Sequence, residues 1–107
     1  MEITFGDFAK LSLMVGKITG AESIPGMKKI LKVQVDIGEK TTTAIAGGAE
    51  FYEPASFVGK MVIVLTNMEP KTIAGIKSEV MLLAADFGGK PIWLTVEEDV
   101  PPGTKVR

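Results

Sequence analysis

At 107 residues, 46% hydrophobic and 23% charged, the chain has length for one domain and too much apolar content for disorder. A folded chain of this size buries roughly two-thirds of its unfolded surface, so one core suffices without covalent staples. A net charge of −1 argues against a generic nucleic-acid binder, and the absence of both Cys and His excludes disulfides, thiolate chemistry, a Ser-His-Asp triad and a Cys/His zinc site.

The first ten residues, "MEITFGDFAK", are acidic and mixed, not a basic stretch followed by a long apolar run. No signal peptide is expected. No later stretch approaches the length of a membrane span, so the expectation is a soluble, cytoplasmic protein. "LSLMVGKITGA" (11–21) alternates as a strand until Gly16, which reads as a bulge or sharp bend. "ILKVQVDI" (30–37) alternates more cleanly. Leu31, Val33, Val35 and Ile37 face one way, and Lys32, Gln34 and Asp36 the other. Gly38 marks a hairpin turn, and "TTTAIAG" (41–47) is β-prone through its three Thr.

In "AEFYEPASFVGK" (49–60), Pro54 and Gly59 leave room only for a short helical turn. "MVIVLTN" (61–67), "EVMLLAA" (79–85) and "PIWLTV" (91–96) read as further strands, the last after the turn "DFGGK". The two prolines of "VPPGTKV" (100–106) allow only an edge strand or an extended tail. No segment carries a long helical period. Five or six short strands suit a sandwich or a small barrel. The helical excursion before the fourth strand and the glycine-interrupted first strand favour an all-β, five-stranded OB-fold barrel with a C-terminal extension, spanning residues 1–107 as one domain.

Charge is unevenly spread. From Lys10 to Lys32 there are five Lys and one acid, a local excess of four positive charges. Lys28, Lys29 and Lys32 lie within five positions at one loop–strand junction, a spacing suited to phosphate oxygens and equally to a solvated loop. At 7% aromatic, the chain offers little for base stacking, so recognition by shape and backbone fits better. Phe51, Tyr52, Phe57 and Trp93 stand in apolar settings and are read as core or interface. Between "TN" and the apolar run at 79–85, Asn67, Lys71, Lys77 and Ser78 form a polar rim able to meet phosphate or a 2′-hydroxyl. A Ser-Lys hydrolase is disfavoured, because Lys77 and Ser78 are neighbours and point to opposite faces of a strand. Metal binding would need carboxylates alone, and neither a metal nor a cofactor is expected.

Five pieces in order carry a family resemblance: "DFAKLSLMVGKITGAESIPG", "KKILKVQVDIGE", "AIAGGAEFYEPASFVGK", "VIVLTNMEPKTIAGIKSEVMLLAA" and "VPPGTKV". Together the chain resembles the tRNA-binding domain found as free homodimeric proteins and as a C-terminal appendage or beta subunit of methionyl-tRNA synthetases. The fourth piece is the most specific, through its Asn-x-x-Pro-Lys and Gly-x-x-Ser-x-x-Met. The resemblance implies an OB barrel without catalysis of its own, recognition of tRNA by shape, a homodimer joined through the chain ends, and an aminoacyl-tRNA synthetase as possible partner. By position it implies tRNA contacts at Lys28, Lys29, Lys32, Asn67, Lys71, Ser78 and Met81, with Lys17 as a lesser member. Three positions depart from the family pattern: Met14 stands where Arg is usual, and Glu79 and Val80 where Gln-Gly is usual. "AGIKSEV" is closer to the sibling CsaA-type homodimeric export chaperone, which implies unfolded or precursor polypeptides as the alternative partner.

Overall fold

The computed structural model describes all residues, Met1–Arg107. A short helix, α1 (Phe5–Ala9), precedes the strands β1 (Leu13–Ser23), β2 (Ile30–Asp36) and β3 (Thr41–Gly47). A single 3₁₀ turn, Pro54–Ser56, leads to β4 (Met61–Leu65). Then come β5 (Lys71–Ile73), β6 (Ile76–Ser78), β7 (Met81–Leu82), β8 (Ala84–Phe87), β9 (Lys90–Trp93) and β10 (Lys105–Val106). No helix is long and apolar enough to cross a membrane.

The main sheet runs β3-β2-β1-β4-β7, all antiparallel. β1 is the long spine. Its first half pairs with β4 and with β10, and its second half pairs with β2. The barrel is completed where the chain at Ser78–Glu79 meets β3. Glu79 donates its N–H to the Thr43 carbonyl at 2.8 Å. The Glu79 carboxylate accepts from Thr43 N–H at 3.0 Å, and Ser78 Oγ accepts from Ile45 N–H at 3.1 Å. Side chains therefore do part of the pairing that a strand ladder would otherwise do. The result is the nearly closed five-stranded OB-type barrel that the strand spacing predicts.

The alternation in β2 dictates its two faces. Leu31, Val33 and Val35 are fully buried, and they pack with Ala44 and Ala46 of β3, Val62 and Val64 of β4, Ile18 and Leu82, all buried. Phe57, next to the 3₁₀ turn, is also fully buried in this cluster. It meets Tyr52 and Trp93 edge-on at 5.7 and 5.5 Å, and Tyr52 donates its hydroxyl to the Pro91 carbonyl at 2.8 Å. Phe51 does not join them, for it is half exposed.

Four local features differ from the sequence reading. The irregularity in β1 falls between Ile18 and Gly20, not at Gly16. Gly16 keeps its ladder place because β1 passes tightly over β2: a Cβ there would lie 2.5 Å from Val35 Cγ1. α1 is short and lacks a helical period, yet it is capped on both sides of its first turn. Thr4 Oγ1 accepts from Asp7 N–H, and the Asp7 carboxylate accepts from Thr4 N–H. β5 and β6 form a hairpin where a connection is expected. The apolar run 79–85 is not one strand, since Met81–Leu82 pairs with β4 while Ala84–Phe87 pairs with β9. The proline-bearing tail holds to the edge expectation, and β10 is two residues long.

Candidate nucleic-acid interface

The outward face of β1-β2-β3 is set by register. Glu22, Lys32 and Ile45 form one cross-strand row, and Gly20, Gln34 and Thr43 form the next. Within the first row Lys32 Nζ lies 3.5 Å from a Glu22 carboxylate oxygen. In the second, Thr43 Oγ1 donates to Gln34 Oε1 at 3.2 Å. The ladder satisfies the backbone of β2 and the edge of β3 that faces it, so the outward side chains of β2 are not needed to complete it. None is aromatic. Lys28 and Lys29 are exposed in the loop that feeds β2, and the Lys29 carbonyl accepts from Ala49 N–H at 3.2 Å. The three lysines of the loop–strand junction thus line one end of the wall.

The wall continues into the segment 67–81. β5 and β6 pair Lys71 with Ser78, Thr72 with Lys77 and Ile73 with Ile76. Lys71 and Ser78 therefore share a face, and Lys77 points to the other. Between this hairpin and β3 lies a cleft of about 340 Å³. Ile45, opposite Lys32 in register, forms one side of it, and Met68, Lys71, Ser78 and Met81 line the rest with Glu69 and Glu79. Met68 and Met81 are each about half exposed.

Lys28, Lys29, Lys32, Lys71, Ser78 and Met81 are thus gathered along one continuous surface. Lys71 makes no ion pair, whereas Lys32 shares its charge with Glu22. The Ser78 hydroxyl is engaged within the fold, accepting from Ile45 N–H and donating to the Val80 carbonyl at 3.4 Å. Asn67 is similarly engaged. Its Oδ1 accepts from Ser12 N–H at 2.9 Å, and its Nδ2 donates to the Lys10 carbonyl at 2.6 Å, tying the end of β4 to the start of β1. Lys17 stands apart. It is exposed on β1 opposite Asp36, four strand positions or about 13 Å from Lys32, and lines a separate groove with Asp99 and Pro102.

Ile45, Met68 and Glu69 belong to the cleft and are not among the residues that the sequence singles out, whereas Glu79 stands out there only as a departure from the family pattern. Ile45 carries the one legible signal, an apolar side chain on the outward, otherwise Thr-bearing face of β3. No three acidic side chains gather closely enough to hold a metal ion.

A polar, lysine-flanked wall on an OB-type barrel is a surface that a folded nucleic acid can rest on. The family model for tRNA binding domains matches residues 13–105, nearly the whole chain. The chain belongs to the tRNA binding domain family. Among its curated relatives, methionine–tRNA ligase of Methanocella arvoryzae is 50% identical over 106 residues, and that of Methanoregula boonei is 49% identical over 105 residues. Each match covers 98% of this domain but only 15% and 16%, respectively, of the ligase. Among solved structures, a MetRS-related protein of Pyrococcus horikoshii superposes with a TM-score of 0.93 at 35% identity, over 100% of both chains. The chaperone CsaA of Bacillus anthracis superposes with a TM-score of 0.90 at 30% identity, again over 100% of both. The domain therefore corresponds to a module of about one-sixth of the ligases, and as a unit it is coextensive with both solved relatives.

Proposed function

We propose that this domain binds tRNA by shape, as an accessory to methionyl-tRNA formation, with no catalytic step of its own. The carrying observation is the continuous surface joining Lys28, Lys29 and Lys32 to Lys71, on a chain whose 98% matches a segment of methionine–tRNA ligase. Lysine ammonium groups meet phosphates. Ser78 and Asn67 hold the adjoining backbone in place through the bonds described above. Met81 supplies apolar contact at the cleft, and Lys17 extends the reach only if the RNA wraps past Asp36.

Backbone recognition has a salt signature. Affinity for bulk tRNA should fall with added salt at a log–log slope of about −0.7 to −0.9 per neutralised phosphate. Filter binding against bulk tRNA and unstructured RNA of equal length checks this. A salt-independent affinity, or equal binding of both RNAs, refutes the reading.

The reading includes a homodimer. Large apolar side chains stand exposed near the N-terminus and around the β8–β9 hairpin: Ile3 and Phe5 at 67% and 82%, and Phe87 at 75% with Ile92 and Leu94 on or just after β9. Apolar groups of this size left in water favour a second copy. Sedimentation should give twice the 11.4 kDa chain mass.

A second reading, as a polypeptide-binding chaperone, is favoured by one observation: the CsaA match extends over the full length of both chains. A peptide array showing apolar segments bound and not displaced by tRNA would establish it, and no binding would remove it.

A further inference from the structure

We propose that the cleft between β3 and the β5–β6 hairpin receives one unstacked base of the bound tRNA, a base bearing N–H donors on its pairing edge, while a flanking phosphate sits on Lys71. This rests on the tRNA reading above and deepens it: the lysines hold the RNA, and the cleft reads a base.

Size and lining come first. At about 340 Å³ the cleft is at the small end of ligand pockets, which span roughly 300–1,000 Å³, so it suits a single heterocycle. Its apolar sides are Ile45, Met68 and Met81. Thioethers are polarizable and flexible, so they adapt to either face of a flat ring, which compensates for the missing aromatics. Both methionines are about half exposed and present that surface to solvent.

Charge narrows the occupant. Lys71, Glu69 and Glu79 line the same cleft, yet no ion pair forms among them. A phosphate alone would meet Lys71 and be repelled by two carboxylates. A nucleotide satisfies all three, with its phosphate on the ammonium and its amino or imino hydrogens on carboxylate oxygens. Glu79 is fixed for this, because one oxygen is held by Thr43 N–H and the other has no partner. Guanine, adenine and cytosine carry suitable donors. Uracil, with one N–H between two acceptors, fits worst. A basic polypeptide would satisfy the carboxylates and leave Lys71 unanswered. Position supports the same occupant, since Ile45 faces Lys32 across the β2–β3 ladder and an RNA strand crossing Lys28–Lys32 reaches the cleft directly.

The test uses the full chain carrying ¹³C-methyl methionine, titrated with bulk tRNA to saturation. The Met68 and Met81 methyl signals should shift under the ring current of the inserted base. One tRNA position should lose reactivity at its pairing edge, to dimethyl sulfate where the base is adenine or cytosine and to kethoxal where it is guanine. Glu69→Ala should weaken tRNA binding about tenfold, the scale of a lost hydrogen bond to a charged group. The sign is decisive, because removing an acid beside a polyanion should otherwise tighten binding. Glu69 is exposed, so the variant should fold. If tRNA binds while both methyl signals stay still, or if Glu69→Ala tightens binding, the base reading fails and the tRNA reading stands. If tRNA does not bind the unaltered chain, both fail. If poly-lysine, added to the chain without RNA, shifts the same methyl signals, the cleft takes polypeptide and the base reading fails.

Discussion

The β2–β3 wall and the 67–81 segment share one surface but are built differently. On the wall, a seven-residue ladder from Ile30–Gly47 to Asp36–Thr41 satisfies the facing backbone edges of β2 and β3, and Ser78 and Glu79 are needed only at the far edge of β3. The outward side chains carry no structural duty, and Lys32 is limited only by its ion pair with Glu22. In the 67–81 segment the strands are two or three residues long, and polar side chains replace missing ladder bonds. Ser78 and Glu79 close the barrel on β3, and Asn67 fastens β4 to the N-terminal segment. Residues of the same chemical type therefore do opposite work in the two places. The outward polar side chains of β2 are available to a ligand, whereas Ser78 and Asn67, beside an incomplete ladder, are held by the fold.

The largest effect should come from the wall. Replacing Lys28, Lys29 and Lys32 together by Ala removes three candidate phosphate contacts. It should lower tRNA affinity on the order of a hundredfold at 0.1 M salt and flatten the salt slope by about two units. Melting should change little, because Lys28 and Lys29 are exposed and Lys32 exchanges only a surface ion pair. Filter binding across a salt series and a thermal melt measure both. Unchanged affinity would remove the wall from the interface.

The next effect separates the two regions directly. Ser78→Ala leaves Ile45 N–H without its acceptor at the barrel seam. The loss should be about 1–2 kcal/mol of stability, a drop in Tm of roughly 5–10 °C, with tRNA affinity of the folded variant within about twofold of the parent. Lys71→Ala, across the same hairpin pair, should do the reverse: several-fold weaker tRNA binding and an unaltered melt. A Ser78→Ala variant that melts normally but loses tRNA would show the hydroxyl meeting RNA.

The same contrast explains what the sequence discloses. β2 is legible because a strand buried on one face must alternate, and Leu31, Val33 and Val35 do so against Lys32 and Gln34. The lysine cluster follows from that frame. The apolar run 79–85 is legible as buried, but hydrophobicity does not name a pairing partner, so its division between β4 and β9 stays hidden. α1 has five residues, too few for a period, and is encoded only in the reciprocal Thr4–Asp7 cap. Ser78 and Asn67 look in sequence like surface polar residues. Their engagement depends on Ile45, Ser12 and Lys10, which lie 33 to 57 positions away.

The smallest effect concerns the turn that joins β5 to β6. Ala74 and Gly75 both have positive φ, 52° and 77°, as a two-residue hairpin turn of the primed type requires. Glycine adopts this freely at position 75. Ala74 is the only non-glycine residue in the chain with positive φ, and its Cβ crowds the following carbonyl there. The missing Asn or Asp also explains why this hairpin escapes a reading by turn residues. Ala74→Asn should relieve part of the strain and stabilise the fold by about 0.5–1 kcal/mol, seen as a higher urea midpoint at unchanged m-value. Ala74 is exposed, so no packing is lost. Affinity for tRNA should stay within about twofold, because Lys71 lies at the far end of β5 and keeps its pairing with Ser78. A lower midpoint would mean that the alanine conformation is held by more than the turn, and that the 67–81 segment is less strained relative to the wall than its backbone angles indicate.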